Sequence, residues 1–134
     1  MAGVTPQDAF GAAFATMRKP FKWGLRSDCT AACEAFRALH GVEPIGQYEE
    51  HYTTALGAAR KIKKYGSYLS WCKLAFDLVE TKQPRAGDIA LIHSDGAFGA
   101  ALALCINPGE FATKTERGMI ITTAKIQGAW TCHS

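Results

Sequence analysis

Cys29 is the residue best placed for chemistry. It lies in the stretch FKWGLRSDCTAAC, residues 21–33, directly behind Asp28 and shortly after Trp23-Gly24. Ser27 and Asp28 are both good capping residues, so a helix is expected to start here. Cys29, Ala32, Cys33, Phe36 and Leu39 follow at steps of three and four, one inward stripe ending at Gly41. A thiol at a helix head meets the positive end of the macrodipole, which favours the reactive thiolate. Free backbone N–H groups at the same end could hold a developing oxyanion. Trp23 and Gly24, with Asp28, would then wall a cleft. The competing reading is a buried structural cysteine with Trp23 as an ordinary core aromatic. From spacing alone it is the commoner outcome.

A nucleophilic thiol needs a base. Four histidines are available. His93 ends an apolar run, IALIH, and could supply an imidazole if that run turns toward Cys29; otherwise it is a solvent-facing hairpin residue. His40 closes the helix that Cys29 opens, and about 1.5 Å of rise per residue over eleven residues puts it out of reach. His51 falls in an acidic segment and reads as exposed. His133 is next to the C-terminus, where chains are often poorly ordered.

Other constellations carry less. Cys29 and Cys33, at i and i+4, could share a soft metal ion or cluster only if Cys72, Cys105 or Cys132 converged on them. No C-x-x-C pair occurs, and five scattered cysteines do not make a disulfide framework. Neither metal nor cofactor is expected. RKIKKYG, residues 60–66, is basic but lacks interleaved aromatics, and the net charge is only +3, so no nucleic-acid site is assigned. Asp28 and Asp88 are better explained as a helix cap and a turn residue than as paired carboxylates.

The elements around Cys29 follow from periodicity. With 134 residues, 48% hydrophobic and 20% charged, a single globular domain over 1–134 is expected. Residues 1–19 carry an N-terminal helix opened by Thr5-Pro6. Residues 20–80 form a helical half containing the Asp-Cys motif, with further helices over 48–66 and 67–80. Residues 81–134 form a sheet half: TKQPRAGD turns the chain, then IALIH, AALALCI, GMIITT and the tail read as extended. The fold class is α+β, with N-terminal helices packed on a small antiparallel sheet. The N-terminus lacks a basic start with a long apolar run, and no segment is long enough to span a bilayer. A soluble chain made in a cytoplasm is expected.

WGLRSDC at a helix start, PRAGDIALI opening the sheet, and AALALCI after a hairpin occur in the order of the NlpC-type cysteine peptidases. The chain resembles this compact branch of the papain-like fold from about Pro20 to Trp130. It resembles more closely a degenerate set encoded by tailed phages, prophages and gene transfer agents. The resemblance implies that Cys29 occupies the nucleophile position, and that Pro84, Gly87 and Asp88 form the turn before the first core strand. It also puts the family's base histidine at Ala100 or Ala101, and GAFGAALALCI contains no histidine. General acid–base help is worth about 10²–10⁴-fold.

The expectation is therefore a catalytically impaired structural component of a phage tail tip or baseplate hub. Its partners would be other hub proteins, and it would reside in the virion after assembly in host cytoplasm. The alternative is an active cysteine endopeptidase or amidase cutting cell-wall peptide crosslinks during entry. Peptidoglycan peptide would then be its substrate and His93 a substitute base.

Overall fold

The computed structural model describes residues 3–96 and 98–132. Helix α1 (Pro6–Met17) starts with a capping box: the Thr5 hydroxyl accepts from the Asp8 N–H, and the Asp8 carboxylate accepts from the Thr5 N–H. It buries Ala9, Ala13 and Met17 and leaves Phe10 and Phe14 exposed. Helix α2 (Ala31–His40) buries Ala32, Cys33 and Phe36, and Gly41 ends it in the left-handed conformation. Helices α3 (Ala55–Lys64) and α4 (Tyr68–Ala75) are capped by the hydroxyls of Thr54 and Ser67.

Six strands are described: β1 (Val79–Glu80), β2 (Ile89–His93), β3 (Ala100–Asn107), β4 (Glu110–Thr115), β5 (Gly118–Thr123) and β6 (Ile126–Thr131). They form one sheet in the order β1-β6-β2-β3-β4-β5, with every pairing antiparallel. The helices cover one face through Ile89, Leu91, Leu102, Leu104, Ala112 and Trp130. On the other face Ala90, Ile92, Ala103, Cys105, Phe111 and Ala129 cover one another. The pairing shifts register at Leu91/Ile92 between β2 and β6 and at Cys105/Asn107 between β3 and β4, irregularities of the kind that bend a strand locally.

The structure bears out the α+β class and the antiparallel sheet; it shortens two of the expected helices and adds a strand. The 48–66 helix begins only at Ala55, because Glu49 and Glu50 are drawn into ion pairs with Arg26, Lys61 and Lys64. The 67–80 helix ends at Ala75; Phe76 is extended, and Val79–Glu80 pair with β6 instead. Strand β4 lies between AALALCI and GMIITT, where no strand was expected. Among the described residues, no helix is long and apolar enough to cross a membrane.

The Pro84–Asp88 turn ties the two halves together. Gly87 has φ +91°, and a Cβ there would meet a Val4 methyl at 2.9 Å, so glycine is required twice over. The Gly87 N–H donates to the Cys105 carbonyl, and the His40 Nε2 donates to the Gly87 carbonyl at 2.8 Å. The Asp88 carboxylate accepts from the Arg85 N–H and the Thr131 hydroxyl.

Candidate functional site around Cys29

The loop before α2 is held from inside. Asp28 is 2% exposed, and its carboxylate accepts from four donors. These are the Thr30 N–H (2.9 Å), the Thr30 hydroxyl (2.6 Å), the Tyr52 hydroxyl (2.6 Å) and the Gly24 N–H (3.4 Å). A buried carboxylate needs such donors to offset desolvation. Asp28 is thus the hub of the loop, and the N-cap position falls to Thr30. Arg26 has φ +71°, strained for a side chain with a Cβ. Its guanidinium pairs with Glu34, Glu43 and Glu49, which hold that conformation in place.

Cys29 sits two residues before the first residue of α2, in the turn rather than in the helix. Its Sγ lies 3.2 Å from the Tyr68 hydroxyl. Burial, and then the neighbouring Asp28 charge, push the thiol up to about 11; the Tyr68 hydroxyl and the backbone at Leu102 pull weakly the other way. Desolvation therefore outweighs the pull of the helix dipole at this thiol. The thiol is protonated at neutral pH. Burial also raises Cys33 and Cys72 well above the usual thiol range.

A series of aromatic rings closes over the sulfur. Phe21 meets Trp23 at 5.1 Å, Trp23 meets Phe98 at 5.8 Å, and Phe98 meets Tyr68 at 6.5 Å between centroids. The run continues through Trp71 and Phe76 to Trp130. Beneath Trp23 and Phe98 lies a small apolar recess of about 40 Å³ reaching Cys29 and Tyr68. On the other side, Cys29, Trp23 and Phe98 also line an open groove of about 940 Å³ that runs past β3 and β4. There β3 and β4 separate, since their pairing stops at Leu104↔Ala112. The Thr113 hydroxyl donates to the otherwise uncovered Leu102 carbonyl at 2.8 Å.

Over residues 7–132 the sequence matches a family described as a domain of unknown function, DUF6950. The chain belongs to that family. Comparison with curated proteins gives no match.

In this DUF6950 domain the residues singled out from sequence fall as follows. Trp23, Asp28 and Cys29 come together. Gly24 abuts the Tyr52 backbone, where a Cβ would sit 3.5 Å from the carbonyl oxygen, an ordinary contact. His93 lines the groove but is exposed and has no hydrogen bond to Cys29. His40 is committed to Gly87, and His51 is exposed. His133 lies outside the described residues. Ala100, at the start of β3 and opposite His93, faces the helices and lines the groove. No group of three or more His, Cys, Asp or Glu among the described residues is arranged to hold a metal ion.

Sequence reasoning missed Tyr68, Tyr52 and Lys114. Tyr68 and Tyr52 reach the site from 39 and 24 residues away, so no local spacing announces them. Lys114 is only 3% exposed, in the strand that was not recognised. A charged residue flanked by two threonines gives no sign of burial.

Proposed function

We propose that this chain is a catalytically silent module on a papain-like, NlpC-type fold. In this reading it serves as a structural component of a phage tail tip or baseplate hub. The observation that carries the first part is the state of Cys29: a protonated thiol bonded to a phenol, with no imidazole among the described residues in contact with it. Burial keeps the Tyr68 phenol protonated as well, so the thiol has no base at hand to form its thiolate. The tail-hub assignment rests on the motif resemblance. The contact surface it needs is consistent with α1, whose Phe10 and Phe14 stack in parallel at 6.2 Å and are 45% and 43% exposed. In this reading neighbouring hub proteins cover that aromatic face.

Two measurements test it. Purified protein and the Cys29→Ala variant should both leave muropeptides uncut; turnover by the first and not the second would end the silent reading. The chain should be found at low, fixed copy number in assembled particles. Intact, infectious tails formed without it would end the structural reading. Hydrolysis has one observation on its side, that His93 borders the same groove as Cys29. A Cys29-dependent activity abolished by His93→Ala would favour it.

A further inference from the structure

The two edges of the sheet are built differently. In the order β1-β6-β2-β3-β4-β5 the edge strands are β1 and β5. Strand β1 is only two residues long, which blunts that edge. Strand β5 runs for six residues, GMIITT, and pairs with β4 in unbroken register from Thr115↔Gly118 to Glu110↔Thr123. Among the described residues no other strand pairs with it. It carries none of the usual edge protections: no proline, no charged residue and no bulge. Its two isoleucines are exposed on opposite faces, Ile120 by 45% and Ile121 by 41%. Only Glu116 and Arg117 separate Thr115 from Gly118, so that pair closes a two-residue hairpin and exchanges both backbone bonds. Alternation then turns the N–H and C=O groups of Gly118, Ile120 and Thr122 toward β4, and those of Met119, Ile121 and Thr123 outward. The Thr123 carbonyl accepts from the Thr122 hydroxyl at 3.1 Å. Among the described residues no hydrogen bond takes up the outward backbone groups of Met119 or Ile121.

We propose that a second copy of this chain adds to the β5 edge, antiparallel, with the twofold axis at Ile120. A twofold that joins two antiparallel edges stands perpendicular to the sheet, so each face of the joined sheet is built from the same face of both copies. With the axis at Ile120, that residue meets its own counterpart on one face. On the other face Met119 of each copy meets Ile121 of the other. Both members of the Met119–Ile121 pair turn their backbone groups outward, so each such pair can exchange both N–H···O bonds. The strand's apolar residues thus meet only one another. The charges agree: Arg117 falls opposite Thr123 and Glu116 opposite Ala124 of the second copy, and no like charges are opposed. Moving the axis to Ile121 would set Arg117 against Lys125 and both Met119 and Ile120 against threonines. Moving it to Met119 would set Ile121 against Arg117. Because β1 offers no comparable edge, pairing closes at two copies and does not grow into a fibre. Helix α1 packs on β5 as well as on β3 and β4, so the two α1 helices stand on the same side of the joined sheet. This pairing uses neither Cys29 nor a hub protein, and it holds whether or not the chain belongs to a tail.

A six-residue edge lies at the small end of interface sizes, so a weak, concentration-dependent dimer is expected. The full chain is followed by analytical ultracentrifugation up to about 0.5 mM and by residue-resolved amide exchange. The Met119 and Ile121 amides should gain at least about 10-fold protection between dilute and concentrated samples. The Ile120 and Thr122 amides, bonded to β4, should stay protected in both. Ile120→Lys opposes two like charges at the axis and should weaken self-association at least about 10-fold. Under oxidised glutathione, Ile120→Cys should give a covalent dimer, because a non-hydrogen-bonded antiparallel pair sets its Cα atoms about 4.5 Å apart, within disulfide reach. Thr122→Cys, on the same face but opposed to Gly118, should give no more than the parent chain with its own thiols. Four results would overturn the proposal: a chain monomeric throughout; a dimer whose Met119 and Ile121 amides exchange alike at both concentrations; a dimer dissolved by Phe10→Glu with Phe14→Glu and not by Ile120→Lys; or better crosslinking at Thr122→Cys than at Ile120→Cys. If Ile120→Lys does not fold, the amide pattern of the wild type decides.

Discussion

Cys29 shows how one side chain's character is set by neighbours far away in sequence. A free thiol near a helix head invites the expectation of a low proton affinity, and the fold reverses it. Peptide-resolved alkylation across pH should give Cys29 a midpoint near 11; a midpoint near 7 would mean that a base does reach it. Tyr68→Phe removes a group that favours the thiolate, so alkylation at pH 9 should slow further. Stability should fall by about 1 kcal/mol. The raised value also fixes the sign of a stability effect. An unfolded thiol ionises near 9 while the folded one holds its proton to about 11. This contribution is thus fully present below pH 9 and is lost as pH rises toward 11. Thermal melts of wild type should decline over that window more steeply than those of Cys29→Ser. At this scale the sequence revealed that Asp28 and Cys29 adjoin a helix start. It could not reveal Tyr68, Tyr52 or Leu102, because contacts made only by folding leave no local spacing.

At the level of elements, legibility followed periodicity. Helix α2 and strands β2, β3 and β5 have one-sided or continuous apolar patterns and were found within a few residues. Strand β4 was not, because EFATKT buries its four central residues on both faces, two of them polar. The start of α3 was misplaced because acidic residues that look like a helix's first turn instead serve the Arg26 and Lys61/Lys64 pairs. Two loops yield predictions. At Arg26, Ala loses the ion pairs and keeps the strained φ, whereas Gly loses the pairs and relieves the strain. Chemical denaturation should therefore find Arg26→Gly more stable than Arg26→Ala by about 1 kcal/mol. At Gly87, Ala should cost roughly 1–3 kcal/mol through φ and contact together. Adding Val4→Ala should recover only the share due to the 2.9 Å contact.

For the molecule as a whole, the sheet's helix-covered face supplies the main core and Trp130 is its largest fully buried side chain. Trp130→Ala should cost about 3–5 kcal/mol in equilibrium unfolding. Phe10→Glu with Phe14→Glu should leave the melting temperature within about 2 °C, since both side chains are exposed and lie outside the core. The same pair should abolish incorporation into particles if α1 carries the hub contact, and normal incorporation would move that contact elsewhere. The ring series from Phe21 to Trp130 has an optical consequence. All three tryptophans of the chain belong to it. Light absorbed anywhere along the series can migrate between rings before it is emitted. Trp23 stands at the groove end and Trp130 at the sealed end, so the intrinsic emission spectrum carries a built-in, label-free gauge of whether the groove is filled.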